Sequence, residues 1–209
     1  GKRKGLIVLV NFTDVRFQPA HTKSLLSRMA NEVGFTYKDG HRGSLHDYFK
    51  DQSNGLFDLT FDVVGPVQLR HDMAYYGKDT LNLRGSRTDV RAGQMVAEAC
   101  MAIKDSVNFR DYDWDGDNVV DQVLVIYAGY GQASGGSSNT IWPHEWALQH
   151  SDYGRALRID GNMLINTYAC SNELNYNTTQ LGGFGTACHE FTHCLGLPDM
   201  YDTSGKESL

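Results

Sequence analysis

Cysteine is scarce in this sequence, with four among 209 residues, and no apolar run approaches the length of a membrane helix. A chain with so few cysteines does not rely on a disulfide framework for its fold. A helix that crosses a bilayer needs about 18 or more apolar residues, so we expect no transmembrane segment. The sequence also lacks internal repeats and low-complexity tracts. A length of 209 residues predicts one domain, or one domain plus a small lobe, with a substantial apolar core.

Clustered positive charge is also missing. The formal net charge is -6, and the only short basic run is residues 2–4. Because phosphate binding draws on grouped lysine and arginine side chains, we expect no nucleic-acid partner. No secretion signal stands at the start, and this gives no argument against export.

One dense motif stands out near the end of the chain. Residues 189–199 read HExxHxxGxxD. His189 and His193 are four residues apart, so on a helix both imidazoles lie on one face and can bind one ion. Glu190 presents a carboxylate beside the open coordination position, and Gly196 permits a sharp turn that returns a third ligand. The motif predicts a zinc hydrolase site.

The third zinc ligand is a choice among three carboxylates. Asp199 is the simplest, because it lies where the extended metzincin pattern usually has a third histidine. Asp202 and Glu173 are the alternatives, since both are carboxylates that the fold could bring to the site. We predict the ligand set His189, His193 and Asp199, with water in the fourth position.

The predicted chemistry is peptide-bond hydrolysis. Zinc held by three protein ligands lowers the pKa of a water in its fourth position to about 7 and polarises the scissile carbonyl. Glu190 can take a proton from that water and later pass it to the leaving amine. We therefore predict a zinc endopeptidase in which Glu190 is the general base.

Several separated segments resemble one family, the immune inhibitor A-like secreted metallopeptidases of bacteria. Besides the zinc motif, the resemblance is carried by residues 5–14, 44–49 with 53–55, 141–144, and the GLPDMYD run at 196–202. These segments are spread along most of the chain, from residue 5 to residue 202. The resemblance implies endoproteolysis of protein or peptide substrates outside the bacterial cell.

The same resemblance implies a fold and one further site residue, and a second is suggested by its place just past the third ligand. The fold would be an α/β (α+β) zincin: a twisted mixed sheet backed by helices, with the zinc helix under an edge that holds substrate as an added strand. His144 would lie near the cleft and bind a substrate carbonyl or the oxyanion, although a packing role is equally open. Tyr201 is a second possible oxyanion donor.

A second metal signal lies in the middle of the chain, where aspartates alternate from Asp111 to Asp121. Alternating carboxylates in a tight loop suit Ca²⁺, which prefers six to eight oxygen ligands. In the register that we prefer, the ligands are Asp113, Asp115, Asp117, the Val119 carbonyl and Asp121. A register that starts at Asp111 puts Gly116 at the turn but leaves Gln122 where a bidentate glutamate is expected.

The preferred calcium register puts Asn118 at the turn position that usually carries glycine. Asparagine visits the left-handed region more readily than most residues, so we expect the turn to tolerate it. The other interpretation of this segment is a solvated acidic turn without an ion.

Hydrophobic periodicity predicts alternating strands and helices. Predicted strands cover residues 6–12, 56–64 and 119–128, and 157–168 is predicted as a strand pair with a turn at 160–161. Predicted helices cover residues 22–33, 45–50, 89–103 and 184–195. His41 and His46 are predicted to be surface or core groups, and the glycine-rich stretch 129–138 a flexible surface loop.

The four cysteines are predicted to be buried thiols. Cys188 and Cys194 lie six residues apart, about 240° around a helix, so they are not expected to pair. Cys100 and Cys170 are the other two.

The chain departs from the resembled family at its end. Family members continue through a methionine-containing turn and a C-terminal lobe, whereas this sequence stops at Leu209. We expect residues 1–209 to form a single catalytic domain that lacks this lobe, with a propeptide or a separate C-terminal chain as a possible partner. Two alternatives stay open: a truncated, calcium-stabilised module that binds peptides without cutting them, and a zinc hydrolase acting on another amide.

Overall fold

The computed structural model describes residues 1–81, 85, 87–175 and 179–199. Within these residues the helices are α1 (Lys23–Asn31), α2 (Leu45–Gln52), α3 (Met73–Gly77), α4 (Ala92–Ala102) and α5 (Gly185–Cys194). The strands are β1 (Lys2–Asn11), β2 (Asp58–Gln68), β3 (Asp79–Leu81), β4 (Arg87–Asp89), β5 (Val119–Val120), β6 (Val123–Tyr127), β7 (His144–Ala147), β8 (Leu157–Asp160), β9 (Met163–Ile165) and β10 (Thr167–Asn172).

The main sheet has five strands in the order β2-β1-β6-β10-β7. The first four strands run parallel, and β7 pairs antiparallel with β10 at one edge. Strand β1 is apolar from Leu6 to Val10 because it is central and covered on both faces. This architecture confirms the mixed α/β arrangement of sheet and helices that the predicted fold class contains.

The two faces of the sheet pack against different helices. Successive residues of a strand point to opposite faces, so each strand contributes to two cores. One core joins β1 and β10 to α4 through Leu6, Val8, Met95, Val96, Tyr168 and Cys170. The other joins the same strands to α1, α2 and α5 through Ile7, Leu9, Leu26, Phe49, Ala169 and Phe191. Helix α5 therefore lies on the face opposite α4.

The predicted strand over residues 119–128 is in fact two strands in different sheets. β5 pairs with β9 in a small three-stranded sheet, whereas β6 enters the main sheet. The break falls at Asp121, whose backbone N–H donates to the Tyr112 carbonyl and whose carboxylate accepts from the Trp114 N–H. These loop contacts turn the chain between the two strands.

The predicted strand pair over 157–168 is present as β8 and β9, which pair antiparallel. Gly161 in the connection has a φ of 50°, a left-handed conformation that glycine adopts without steric cost. The chain then continues into β10, a strand of the main sheet that the prediction did not separate from the pair. The edge strand β7 was not predicted.

Within the described residues, no helix is both long enough and apolar enough to cross a membrane.

Candidate active site

The zinc-motif helix α5 is fixed to the sheet by one aromatic side chain. Phe191 is fully buried, and its ring centroid lies 5.2 Å from that of Phe49 and 5.4 Å from that of Phe61. Since Phe191 points into the core, His189 and His193 on the same helix are partly exposed. Burial of Phe191 therefore fixes the rotation of α5 about its axis, and this rotation sets the direction in which the two histidine side chains point.

Helix α5 ends in a Schellman turn that redirects the chain. Gly196 has a φ of 83°, its N–H donates to the His193 carbonyl at 2.8 Å, and the Leu197 N–H donates to the Thr192 carbonyl at 3.4 Å. Glycine suits this left-handed position because it has no Cβ to clash. The turn carries Asp199 back to the histidines.

Three donor atoms converge at this turn. The two Nε2 atoms of His189 and His193 are 3.1 Å apart, and Asp199 Oδ1 lies 3.3 Å and 3.2 Å from them. Tetrahedral zinc with bonds of about 2.1 Å separates its ligand atoms by about 3.4 Å. The donor set of two imidazoles and one carboxylate, at these separations, fits a zinc ion.

The ring of His193 is oriented by the turn itself. Its Nδ1 lies 2.8 Å from the Leu197 carbonyl, which only accepts hydrogen bonds, so Nδ1 carries the proton. In the neutral imidazole, Nε2 then keeps its lone pair and faces the other donor atoms. This is the outer hydrogen bond that metal-binding histidines usually make.

The side chain of Glu190, a residue of α5, reaches the edge strand β7 at Glu145. Burial raises the pKa of Glu190 to about 7, against the opposing effects of His193 and of a hydrogen bond from the Glu145 backbone. One of its carboxylate oxygens lies within 4.8 Å of ligand atoms of His189 and His193. Glu145 was missed by the sequence analysis because a four-residue edge strand of mixed polarity gives no periodic signal.

Glu173, one of the two alternative third ligands, is hydrogen-bonded to groups away from the two histidines of the zinc motif. Its carboxylate is fully buried and accepts hydrogen bonds from the Gln18 N–H at 2.7 Å, His21 Nδ1 at 2.5 Å and the Gly129 N–H at 3.0 Å. It ties the segment after β1 to the end of β10. The other alternative, Asp202, lies outside the described residues.

Replacing Glu173 with alanine is expected to lower the free energy of unfolding by about 3–5 kcal/mol, because His21 and two amides lose a buried partner. Denaturant unfolding would measure the loss. The matched control is Glu32→Ala, which removes an exposed carboxylate paired with Arg28 and is expected to cost less than about 1 kcal/mol. Equal losses in the two variants would contradict the structural role.

The acidic loop brings three of its predicted ligands together. Carboxylate oxygens of Asp113, Asp115 and Asp117 lie within 4.8 Å of one another. Asn118 has a φ of 68°, the left-handed conformation expected of it. Burial, followed by the charges of the three aspartates, raises the pKa of Asp121.

His144 does not lie with the zinc-motif residues. It is the first residue of β7 and pairs with Cys170, so its side chain lies on the α4 face, whereas α5 packs on the opposite face. Its Nδ1 lies 2.6 Å from the Trp142 carbonyl and its Nε2 2.9 Å from the Tyr168 hydroxyl. This placement gives no support to an oxyanion role. Tyr201 lies outside the described residues.

The cysteines are free thiols in the described residues, three of them buried and Cys194 partly exposed. Burial raises the pKa of Cys188 to about 12, and its Sγ is not among the ligand atoms that gather at His189, Glu190 and His193.

Comparison with known proteins decides the family. Residues 4–209 match the family model described as immune inhibitor A peptidase M6, catalytic domain. The chain belongs to the immune inhibitor A family of M6 peptidases. Membership of this family implies a metallopeptidase catalytic domain, which agrees with the resemblance noted in the sequence.

Two curated relatives of the M6 peptidase chain are similar over most of its length. Pre-pro-metalloprotease PrtV of Vibrio cholerae serotype O1 is 27% identical over 210 residues, which cover 90% of this chain and 22% of the relative. Immune inhibitor A of Bacillus thuringiensis subsp. alesti is 25% identical over 238 residues, which cover 97% of this chain and 34% of the relative. The chain spans between a fifth and about a third of the curated relatives.

Proposed function

We propose that the chain is a secreted zinc endopeptidase with His189, His193 and Asp199 as zinc ligands. The observation that carries the proposal is the convergence of three donor atoms at 3.1–3.3 Å on a helix and turn. Membership of a peptidase family supports the reaction class. The proposed substrates are proteins or peptides.

Glu190 is the proposed general base. Zinc, when bound, polarises the scissile carbonyl and lowers the pKa of a coordinated water. Glu190 takes a proton from the attacking water and delivers it to the leaving amine nitrogen. The Glu145 backbone N–H holds the Glu190 carboxylate next to β7, where an added substrate strand would run.

The test is zinc content by mass spectrometry, paired with cleavage of a quenched fluorescent protein before and after chelation. One zinc per chain with chelator-sensitive cleavage is the expected result. Zinc without cleavage would contradict the endopeptidase proposal and favour a peptide-binding module. Release of cell-wall peptides in preference to casein cleavage would favour a hydrolase of other amides.

Secretion and a propeptide are further parts of the proposal. They are supported by the sequence resemblance and by the name pre-pro-metalloprotease of one relative. Mass spectrometry of the protein recovered from culture medium would show whether a longer precursor is processed.

We also propose that the acidic loop binds Ca²⁺ through Asp113, Asp115, Asp117, Asp121 and the Val119 carbonyl. At a Ca²⁺ concentration about 100-fold above Kd, binding adds about 2.7 kcal/mol to the free energy of unfolding and raises the Tm by about 5–10 °C. Thermal melts with and without Ca²⁺, at constant zinc, measure the shift.

The matched variants for the calcium test are Asp113→Asn and Asp105→Asn. The first removes a central carboxylate of the loop and should abolish the Ca²⁺-dependent shift. The second changes a highly exposed aspartate elsewhere and should preserve it. A wild-type Tm that does not respond to Ca²⁺ would leave the loop as a solvated acidic turn.

A further inference from the structure

A cavity of about 520 Å³ lies beside the edge strand β7, on the face of the sheet opposite α5. Its lining includes Asp89, Trp142, His144, Trp146, Asp152 and Tyr168. Trp146 pairs with Tyr168 and His144 with Cys170, so the two β7 side chains share the α4 face. Of the residues in the proposed zinc chemistry, Glu145 also lines this cavity, and only its backbone N–H takes part in that chemistry.

The position of the cavity relates it to a peptide in the cleft. A substrate strand that pairs with the outer edge of β7 continues the alternation of the sheet. Its side chains then point in turn to the α5 face, where the zinc ligands lie, and to the cavity face. Every second side chain of such a strand approaches Trp146 and His144.

The cavity holds the buried Asp89 carboxylate, which within the described part of the chain has few hydrogen-bond donors around it and no cation in contact with it. The Asp89 side chain is 5% exposed and accepts a hydrogen bond from the Trp142 N–H at 3.1 Å. His144 Nδ1 is 3.9 Å away, beyond hydrogen-bond reach, and burial lowers the pKa of that imidazole, which disfavours its charged form. Burial and the charges of Asp79 and Asp152 raise the pKa of Asp89 to about 7.

The other charged groups around Asp89 are already paired. Arg87 lies 3.5 Å from Asp79, and the Asp152 carboxylate accepts hydrogen bonds from the Gly93 and Gln94 amides that begin α4. Arg87 and His150 also line the cavity, but among the described residues neither forms an ion pair with Asp89. A ligand that brings a positive charge next to Asp89 would offset the free-energy cost of burying that carboxylate.

The cavity walls also suit a cation. Trp142 and Trp146 are 54% and 50% exposed, which is unusual for such large apolar side chains. Aromatic ring faces attract ammonium and guanidinium groups, and they cover the aliphatic stem of a lysine or arginine. An anionic side chain would be repelled by Asp89 and Asp152, and an apolar side chain would leave Asp89 uncompensated.

We propose that this cavity is a specificity site that takes a lysine or arginine side chain of the substrate strand on β7. The inference rests on the proposed endopeptidase function and adds to it the class of residue preferred near the cleaved bond. The preferred position has a side chain that points away from α5, so adjacent positions should show no basic preference.

The test is a set of quenched fluorescent peptides in which one arginine replaces glutamine at each position on either side of the cleaved bond. We expect kcat/KM to rise at least about tenfold at one position, or at alternate positions, and to change little at their neighbours. A set of rates with no basic preference, or with a preference that does not alternate, would overturn the proposal.

Asp89→Asn should abolish the arginine preference, measured as the ratio of kcat/KM for each arginine peptide to kcat/KM for the all-glutamine peptide, while the zinc content stays at the wild-type level. The asparagine is isosteric and its side-chain oxygen can still accept from the Trp142 N–H. Asp105→Asn is the matched control and should keep the preference. If Asp89→Asn melts at a much lower temperature, Trp146→Leu replaces it, with the same expected loss. Retention of the preference in a folded cavity variant would overturn the proposal.

A binding measurement distinguishes failure of the proposed endopeptidase function from failure of the cavity proposal. If the zinc-loaded protein cleaves none of the peptides, tryptophan fluorescence is titrated with the arginine and glutamine peptides, because Trp142 and Trp146 line the cavity. Tighter binding of the peptides that carry arginine at alternating positions would support the specificity cavity. In that case only the proposed endopeptidase function would be contradicted. Equal binding of all peptides would overturn the cavity proposal as well.

Discussion

Glu190→Gln is expected to lower kcat/KM by about 10²–10⁴-fold while the zinc content stays at the wild-type level. Glutamine has the size of glutamate, and its side-chain oxygen can still accept from the Glu145 backbone N–H. It cannot take a proton, so the attacking water loses its base. Initial rates on a quenched protein substrate, with zinc measured on the same samples, test the prediction.

The matched control for Glu190→Gln is Glu32→Gln, an exposed position where α1 ends. Its rate should equal that of the wild type. Unchanged turnover in Glu190→Gln would show that another group takes the proton. Loss of zinc in that variant would instead show that Glu190 holds the metal site together.

The sequence was sufficient for the features that depend on local geometry. The i, i+4 spacing of His189 and His193 places both rings on one side of α5. The glycine at position 196 is the residue type that a Schellman turn requires, and the turn spans few residues, so the return of Asp199 follows from the local sequence. The apolar run of β1 indicates a central strand because both of its faces must be covered.

Features that depend on tertiary contacts could not be predicted in this way. The split of residues 119–128 arises from contacts of Asp121 with Tyr112 and Trp114, which leave no trace in the hydrophobic pattern. Glu173 could be excluded as a ligand only when its burial against His21 was known. Both cases need distances between residues that are separated in sequence.

The edge strand β7 was the most consequential omission. It has four residues of mixed polarity, so its pairing with β10 alone identifies it. Once β7 is placed, the single peptide N–H of Glu145 connects it to Glu190, and the alternation of its side chains assigns His144 to the opposite face. One short strand thus separates the proposed catalytic face from the proposed specificity cavity.

Asp199→Ala is expected to weaken zinc binding by more than about 100-fold, beyond the loss of about 10–100-fold that follows removal of an outer hydrogen-bond partner. The variant removes the anionic donor of the set and leaves two imidazoles, which hold zinc less tightly than three ligands. Competition with a chromogenic chelator at constant pH measures the affinity. Activity at limiting zinc should fall in parallel.

Asp202→Ala is the matched control, because it removes the neighbouring carboxylate of the same motif. Zinc affinity in this variant should equal that of the wild type. If Asp202→Ala loses zinc and Asp199→Ala retains it, the third zinc ligand is Asp202 and not Asp199. In that case the 3.2 Å approach of Asp199 to His193 would be an ion pair beside the site, since a carboxylate next to an imidazolium has the same separation as two ligands of one zinc ion.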